Sequence, residues 1–211
     1  MKIKNTKVTN PLQGLMAIAA AMSMSANATL ITFDDLPGSG AAVPNGYGGL
    51  DWSEFNYLDA SSPTYVNSGY LPGMVSPTRV AYNAYANVAT IDDTPFTLNS
   101  AYLTAAWNDN LKVQVVGKLG GITLYDNTYT LSATAATLIN FNYVGVDEVV
   151  FDSFGGTFHN GYSGSGEHFA MDNLLVNTVV PEPSTYVAGA LMLLPFGAKA
   201  VRRWKTRKTE A

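Results

Sequence analysis

Between residues 29 and 180 no window of eleven or more residues carries the apolar spacing of an amphipathic helix, and this restricts the fold more than any other feature. The segment instead holds short runs in the strand period. Leu111-Lys112-Val113-Gln114-Val115 alternates apolar with polar, and Phe96-Thr97-Leu98 does the same ahead of Tyr102-Leu103. Ile122-Thr123-Leu124-Tyr125 and Val149-Val150-Phe151 are rich in β-branched and aromatic residues, which fit a pleated surface. Turn residues separate these runs: Asn108-Asp109-Asn110, Gly120-Gly121, Asp126-Asn127, Gly145 and Gly155-Gly156. About nine or ten short strands at this spacing predict an all-β domain, a two-sheet β-sandwich of jelly-roll type. No fixed-period repeat and no low-complexity tract interrupts it, and its 152 residues suffice for one core.

Charge divides the chain into three parts. The whole carries −4, with 13% charged residues and 47% apolar ones. Residues 29–180 hold 14 acids against Arg79, Lys112 and Lys118, a net −11. Residues 1–28 hold three lysines and no acid, and residues 181–211 hold six bases against Glu182 and Glu210. An acidic body argues against a nucleic-acid partner, which needs a basic surface. The absence of cysteine excludes a disulfide framework, a zinc ribbon and a thiol nucleophile.

The basic ends read as addresses flanking the domain. Lys2, Lys4 and Lys7 precede the apolar run Leu15–Met22, and Ala26-Asn27-Ala28 supplies a small-x-small cleavage pattern. Residues 1–28 are therefore expected to form a signal helix removed by signal peptidase, with the mature chain starting at Thr29. At the other end, Pro181-Glu182-Pro183 precedes an uncharged stretch, Tyr186–Ala198, and then Arg202, Arg203, Lys205, Arg207 and Lys208. As a helix that stretch reaches about 20 Å, short of a hydrocarbon core of about 30 Å, although Lys199 can snorkel to lengthen it. The terminal bases favour a cytoplasmic end.

This order of motif, apolar helix and basic cluster resembles the PEP-CTERM sorting signal, over about the last 30 residues. The resemblance implies an exosortase substrate of Gram-negative bacteria that make exopolysaccharide. It implies a short C-terminal transmembrane helix that holds the chain briefly in the inner membrane. Cleavage near Pro181, Glu182 and Pro183 would then send the body to the cell surface or extracellular matrix. Residues 181–211 are thus expected to be the sorting signal and residues 29–180 the working domain. Gly46-Tyr47-Gly48-Gly49-Leu50-Asp51-Trp52, with Ala105-Ala106-Trp107 and Val116-Gly117, is similar to a group of secreted PEP-CTERM proteins. That likeness supports a single domain and implies no activity.

Three groups of residues could carry chemistry. Phe33-Asp34-Asp35-Leu36 near the start and Phe169-Ala170-Met171-Asp172-Asn173-Leu174 near the end resemble jelly-roll modules of carbohydrate-binding and adhesion proteins. In those, first and last strands run side by side and share a structural calcium. The resemblance assigns calcium ligation to Asp34, Asp35 and Asp172, since calcium takes hard oxygen ligands; the alternative is that these acids cap turns and guard edge strands. Tyr47, Trp52 and Tyr162 lie in or beside the glycine-rich stretches Leu36–Gly49 and Gly155–Gly166, and Trp107 follows Ala105-Ala106. They are either core residues or a sugar-stacking platform. His159, Glu167 and His168 invite a metal or acid–base reading, but strand adjacency points Glu167 and His168 to opposite faces.

No H-E-x-x-H, G-x-S-x-G or P-loop occurs. The sequence thus points to a non-enzymatic binding or structural β domain with glycan contact to exopolysaccharide. Its competitor is an extracellular carbohydrate-active hydrolase or lyase working through a carboxylate pair.

Overall fold

The alternation read from the sequence is realised as strands in a computed structural model, which describes residues 24–181, with side chains from 28 to 177. Most of the expected signal helix, the apolar stretch after the Pro-Glu-Pro motif and the basic tail lie outside the described residues, whereas the expected cleavage pattern Ala26-Asn27-Ala28 lies inside them, in a strand. Twelve strands follow in order: β1 Met24–Ile31, β2 Gly40–Ala42, β3 Asp51–Ser53, β4 Phe55–Asp59, β5 Arg79–Asn83 and β6 Ala89–Ala105. Then come β7 Asn108–Asp109, β8 Leu111–Leu119, β9 Ile122–Leu131, β10 Thr137–Phe154, β11 Thr157–Phe158 and β12 Phe169–Pro181. One helical turn, α1 at Tyr70–Gly73, and three short 3-10 segments complete the described chain. No described helix is long and apolar enough to cross a membrane. Strand β1 begins five residues before Thr29 and so runs across the expected cleavage point.

The pairings among β2 to β12 are antiparallel. Ten strands form one hydrogen-bonded sheet in the order β2-β4-β5-β12-β6-β10-β8-β9, with β1 on β12 and β3 on β6; β7 and β11 form a separate ribbon. The strands are not uniformly short as the turn signals predict: β6, β10 and β12 run 17, 18 and 13 residues. Gly145 explains the difference. Its φ of 70° sits inside β10 and shifts the register between Val144 and Val146, so it makes a bulge where a turn was expected. Asp126-Asn127 likewise lies inside β9, because the tight two-residue turn Gly120-Gly121, with φ of 56° and 78°, already joins β8 to β9.

The sheet must fold over on itself. Strand β4 stands four places from β10 along the sheet, which would separate them by about 19 Å if it were flat. Yet the ring of Phe55 on β4 meets Phe151 on β10 edge-to-face at 5.7 Å and Phe169 on β12 at 6.1 Å. All three rings are fully buried, in one cluster that draws on β4, β6, β8, β10 and β12. Burial follows the alternation: Leu111, Val113 and Val115 point inward, while Lys112 is exposed. Ser25–Val180 forms a compact unit containing this core.

Truncating the ring that joins the folded-over strands tests this packing. Phe55→Ala should cost about 3–5 kcal/mol in a denaturant titration. A loss under about 1 kcal/mol would mean that the three rings do not meet.

Candidate functional site

Asp172, one of the expected calcium ligands, is fully buried in β12. Its Oδ2 accepts the backbone N–H groups of Val75 and Ser76 at 2.6 and 2.7 Å. Its Oδ1 accepts the Ser76 hydroxyl at 3.0 Å and the Asn173 N–H at 2.7 Å. Burial pushes the carboxyl up, against the pull of these four bonds. The side chain therefore ties the chain at Val75–Ser76 to β12.

Asp34 and Asp35 do other work. Phe33 adopts a φ of 65° and enters the core, which ends the extended run and puts both acids in a turn rather than in the strand expected from the sequence. Asp34 Oδ1 accepts the Arg79 N–H at 3.0 Å, and its carbonyl takes Arg79 Nη1 at 2.8 Å. Asp35 accepts the Tyr47 hydroxyl at 2.5 Å. First and last strands do lie side by side, β1 on β12. Even so, no group of three His, Cys, Asp or Glu is arranged to hold a metal among the described residues. The three acids do not fit a shared calcium, because each already serves hydrogen-bond donors of the protein.

The aromatic candidates separate in the same way. Trp52 is only 6% exposed, packs edge-to-face on Phe33 and Phe55, and donates Nε1–H to the Tyr47 carbonyl at 2.9 Å. It belongs to the core and offers no face for a sugar. Tyr47 leans on Phe33 at 5.9 Å, half-buried. Trp107 packs against Tyr70 at 5.4 Å, in a second cluster with Tyr65 and Tyr82. Gly164 lies so close over the Trp107 ring that a Cβ there would approach it to 2.6 Å. Tyr162 donates to the Ala133 carbonyl at 2.6 Å and rests on the His159 ring at 4.3 Å.

The histidines occupy different surroundings. Glu167 and His168 precede β12 rather than lying in a strand as expected, and their side chains meet different partners. Glu167 Oε1 accepts the Gly155 N–H at 2.6 Å, whereas the His168 ring lies beside Tyr82 with its Nδ1 buried and unbonded. Burial lowers the His168 pKa. His159 instead bonds Asp109 through Nδ1 at 2.8 Å.

The Asp109–His159 pair borders the feature that sequence reasoning missed. An open cleft of about 400 Å³ is lined by Asp109, Asn110, Thr130, Leu131, Ser132 and Thr137. These come from β7, the end of β9, the following turn and the start of β10. Hydroxyl, amide and carboxylate groups line much of it, and Tyr162 and His159 brace its carboxylate side. A second array is also invisible to local reading. Asp51, Asp92, Glu148 and Lys118 are direct partners across β3, β6, β10 and β8, so their side chains share one sheet face. Lys118 Nζ binds Glu148 at 3.1 Å. Burial first, then the neighbouring acids, pushes Asp92 up.

No family description matches the sequence, and no curated protein does. Among solved structures the chain is similar to a DUF4465 family protein from Bacteroides caccae. The two share 10% identity and a TM-score of 0.50 over 74% of this chain and 100% of that one. A DUF4465 family protein from Bacteroides ovatus aligns over 74% of this chain and 99% of that one, at 7% identity and a TM-score of 0.42. The Bacteroides caccae likeness speaks to the all-β fold alone.

Two measurements follow from these surroundings. Melting in EDTA and in millimolar calcium should give the same midpoint, and a rise of several degrees with calcium would overturn the assignment of Asp34, Asp35 and Asp172 to protein donors. His168 has a folded pKa depressed below the ordinary 6.5. Its contribution to stability is therefore complete above pH 6.5 and is lost as pH falls below 6.5 toward the folded value. Wild type should lose more stability than His168→Gln over that window in urea titrations, and parallel pH curves would contradict this.

Proposed function

We propose that the chain is an exported cell-surface or matrix protein whose β domain binds a neutral, hydroxyl-rich polysaccharide without cleaving it. On this reading the Pro181-Glu182-Pro183 tail, with Arg202, Arg203, Lys205, Arg207 and Lys208, directs exosortase processing, and the domain itself is a jelly-roll sandwich. The observation that carries the binding role is the polar cleft at Asp109, Asn110, Thr130, Ser132 and Thr137. Converging hydrogen-bond donors and acceptors beside a braced aromatic are the groups a sugar ring requires. The net charge of −11 on residues 29–180 opposes anionic polymers and leaves neutral ones as the better ligands.

A hydrolase or lyase reading rests on a different observation. Asp92, pushed up by burial, neighbours Asp51 and Glu148 across the strands, and a protonated acid beside a carboxylate is what glycoside hydrolysis needs. Against it, Glu148 is held by Lys118, and Asp92 accepts the Thr90 hydroxyl at 3.1 Å.

Residues 25–180 titrated calorimetrically with neutral oligosaccharides should bind them. Asp109→Asn and Thr137→Ala should each weaken binding about threefold to tenfold. Release of shortened sugars, lost in Asp92→Asn, would replace binding with hydrolysis. Neither heat nor product across neutral oligosaccharides would overturn the ligand role.

A further inference from the structure

Strand β9 ends the long sheet on one side and has no partner on its outer edge among the described residues. At ten residues it presents about 33 Å of free backbone edge. The opposite end of the sheet is β2, three residues long and too short to support stable pairing. Proteins usually protect such an edge with lysine, proline or a short strand. Strand β9, Ile122-Thr123-Leu124-Tyr125-Asp126-Asn127-Thr128-Tyr129-Thr130-Leu131, contains neither residue and is not short. Its one irregularity, at Tyr125–Thr123 against Gly117–Lys118, lies near the turn and leaves Tyr125–Leu131 in regular register.

Burial along β9 also differs from that of its neighbour. On β8 the inward residues Leu111, Val113 and Val115 are fully buried. On β9 the inward tyrosines are only half-covered, although Tyr125 stacks on Tyr143 at 4.4 Å and Tyr129 packs on Phe141 at 5.5 Å. Asn127 between them is exposed. The core layer thus stops one strand short of covering its own aromatics. Near the turn, Ile122 and Leu124 are 69% and 47% exposed, with Leu119 and Val144 exposed close by.

We propose that β9 is a self-association edge: two copies of the domain pair β9 to β9, antiparallel about a two-fold axis, and continue the sheet between them. Charge favours a second copy as the occupant. In a body of net −11, two copies repel nearly everywhere, but β9 carries a single acid, Asp126, whose Oδ1 accepts Gln114 Nε2 at 2.7 Å. Two acidic bodies can therefore approach there at low cost. Geometry agrees, since a two-fold places the same unpaired N–H and C=O groups opposite each other and satisfies both sets at once. An isologous two-fold uses the same edge of both copies, so the assembly closes as a dimer. The proposal does not rest on the polysaccharide reading, although Thr130 and Leu131 at the end of β9 also line the cleft.

Sedimentation of residues 25–180 from micromolar to near-millimolar concentration tests it. Wild type should move from once to twice the monomer mass, at lower concentration in 0.5 M than in 0.05 M NaCl, because salt screens the acidic bodies. Thr123→Lys with Thr128→Lys, both on exposed β9 positions, should remain monomeric throughout with an unchanged melting midpoint. Hydrogen exchange on wild type gives a reading that needs no variant: β9 amides should gain protection with concentration while β2 amides do not. A monomer at every concentration, or a dimer that survives both lysines with β9 exchange unaltered, would overturn the proposal.

Discussion

The contact of Phe55 with Phe151 and Phe169 joins strands that the hydrogen-bond ladder alone would hold far apart. Backbone pairing specifies only neighbours along a sheet, and says nothing of where its two ends meet. Burial of three phenyl rings decides that, since each removes a large apolar area from water and prefers the edge-to-face approach seen between Phe55 and its two partners. Trp52 extends the same packing toward Phe33 and Tyr47, and Phe141 extends it toward Tyr129 and Tyr143. Nearly every aromatic that the sequence offers as a ligand platform therefore has a prior commitment to packing.

The acids follow a parallel logic. Once strands are folded over a core, the connections between them must end their own backbone hydrogen bonds somewhere. Asp172 accepts two N–H groups from the chain before β5, Asp34 accepts that of Arg79, and Glu167 accepts that of Gly155. Carboxylates that look like a metal set in the sequence thus act as fasteners for loops. What stays open lies at the β7, β9 and β10 ends, where no such fastening fills the cleft.

How much of this could be read beforehand depended on whether the signal was local. The alternation at Leu111–Val115 is a local consequence of strand geometry, and it appears directly as burial on β8. The Gly120-Gly121 turn is equally local. Gly145 and Asp126-Asn127 misled, because glycine and asparagine serve bulges and mid-strand positions as well as turns, and only partner strands distinguish these. The cleft was out of reach for a stronger reason. Asp109, Thr130 and Thr137 are separated in sequence and ordinary in type, and only the pairing of β8 with β9 and β10 brings their ends together. The same holds for Asp51, Asp92 and Glu148, each an unremarkable surface acid until register aligns them.

We propose that a cleft built from these strand ends, and not the acid row or the buried aromatics, is where the domain meets its ligand. Amide chemical-shift mapping of residues 25–180 against neutral oligosaccharides tests it most directly. Changes should be confined to Asp109, Asn110, Thr130 to Ser132 and Thr137, with the sugar intact. Changes centred on Asp51, Asp92 and Glu148, with shortened sugar accumulating, would contradict it.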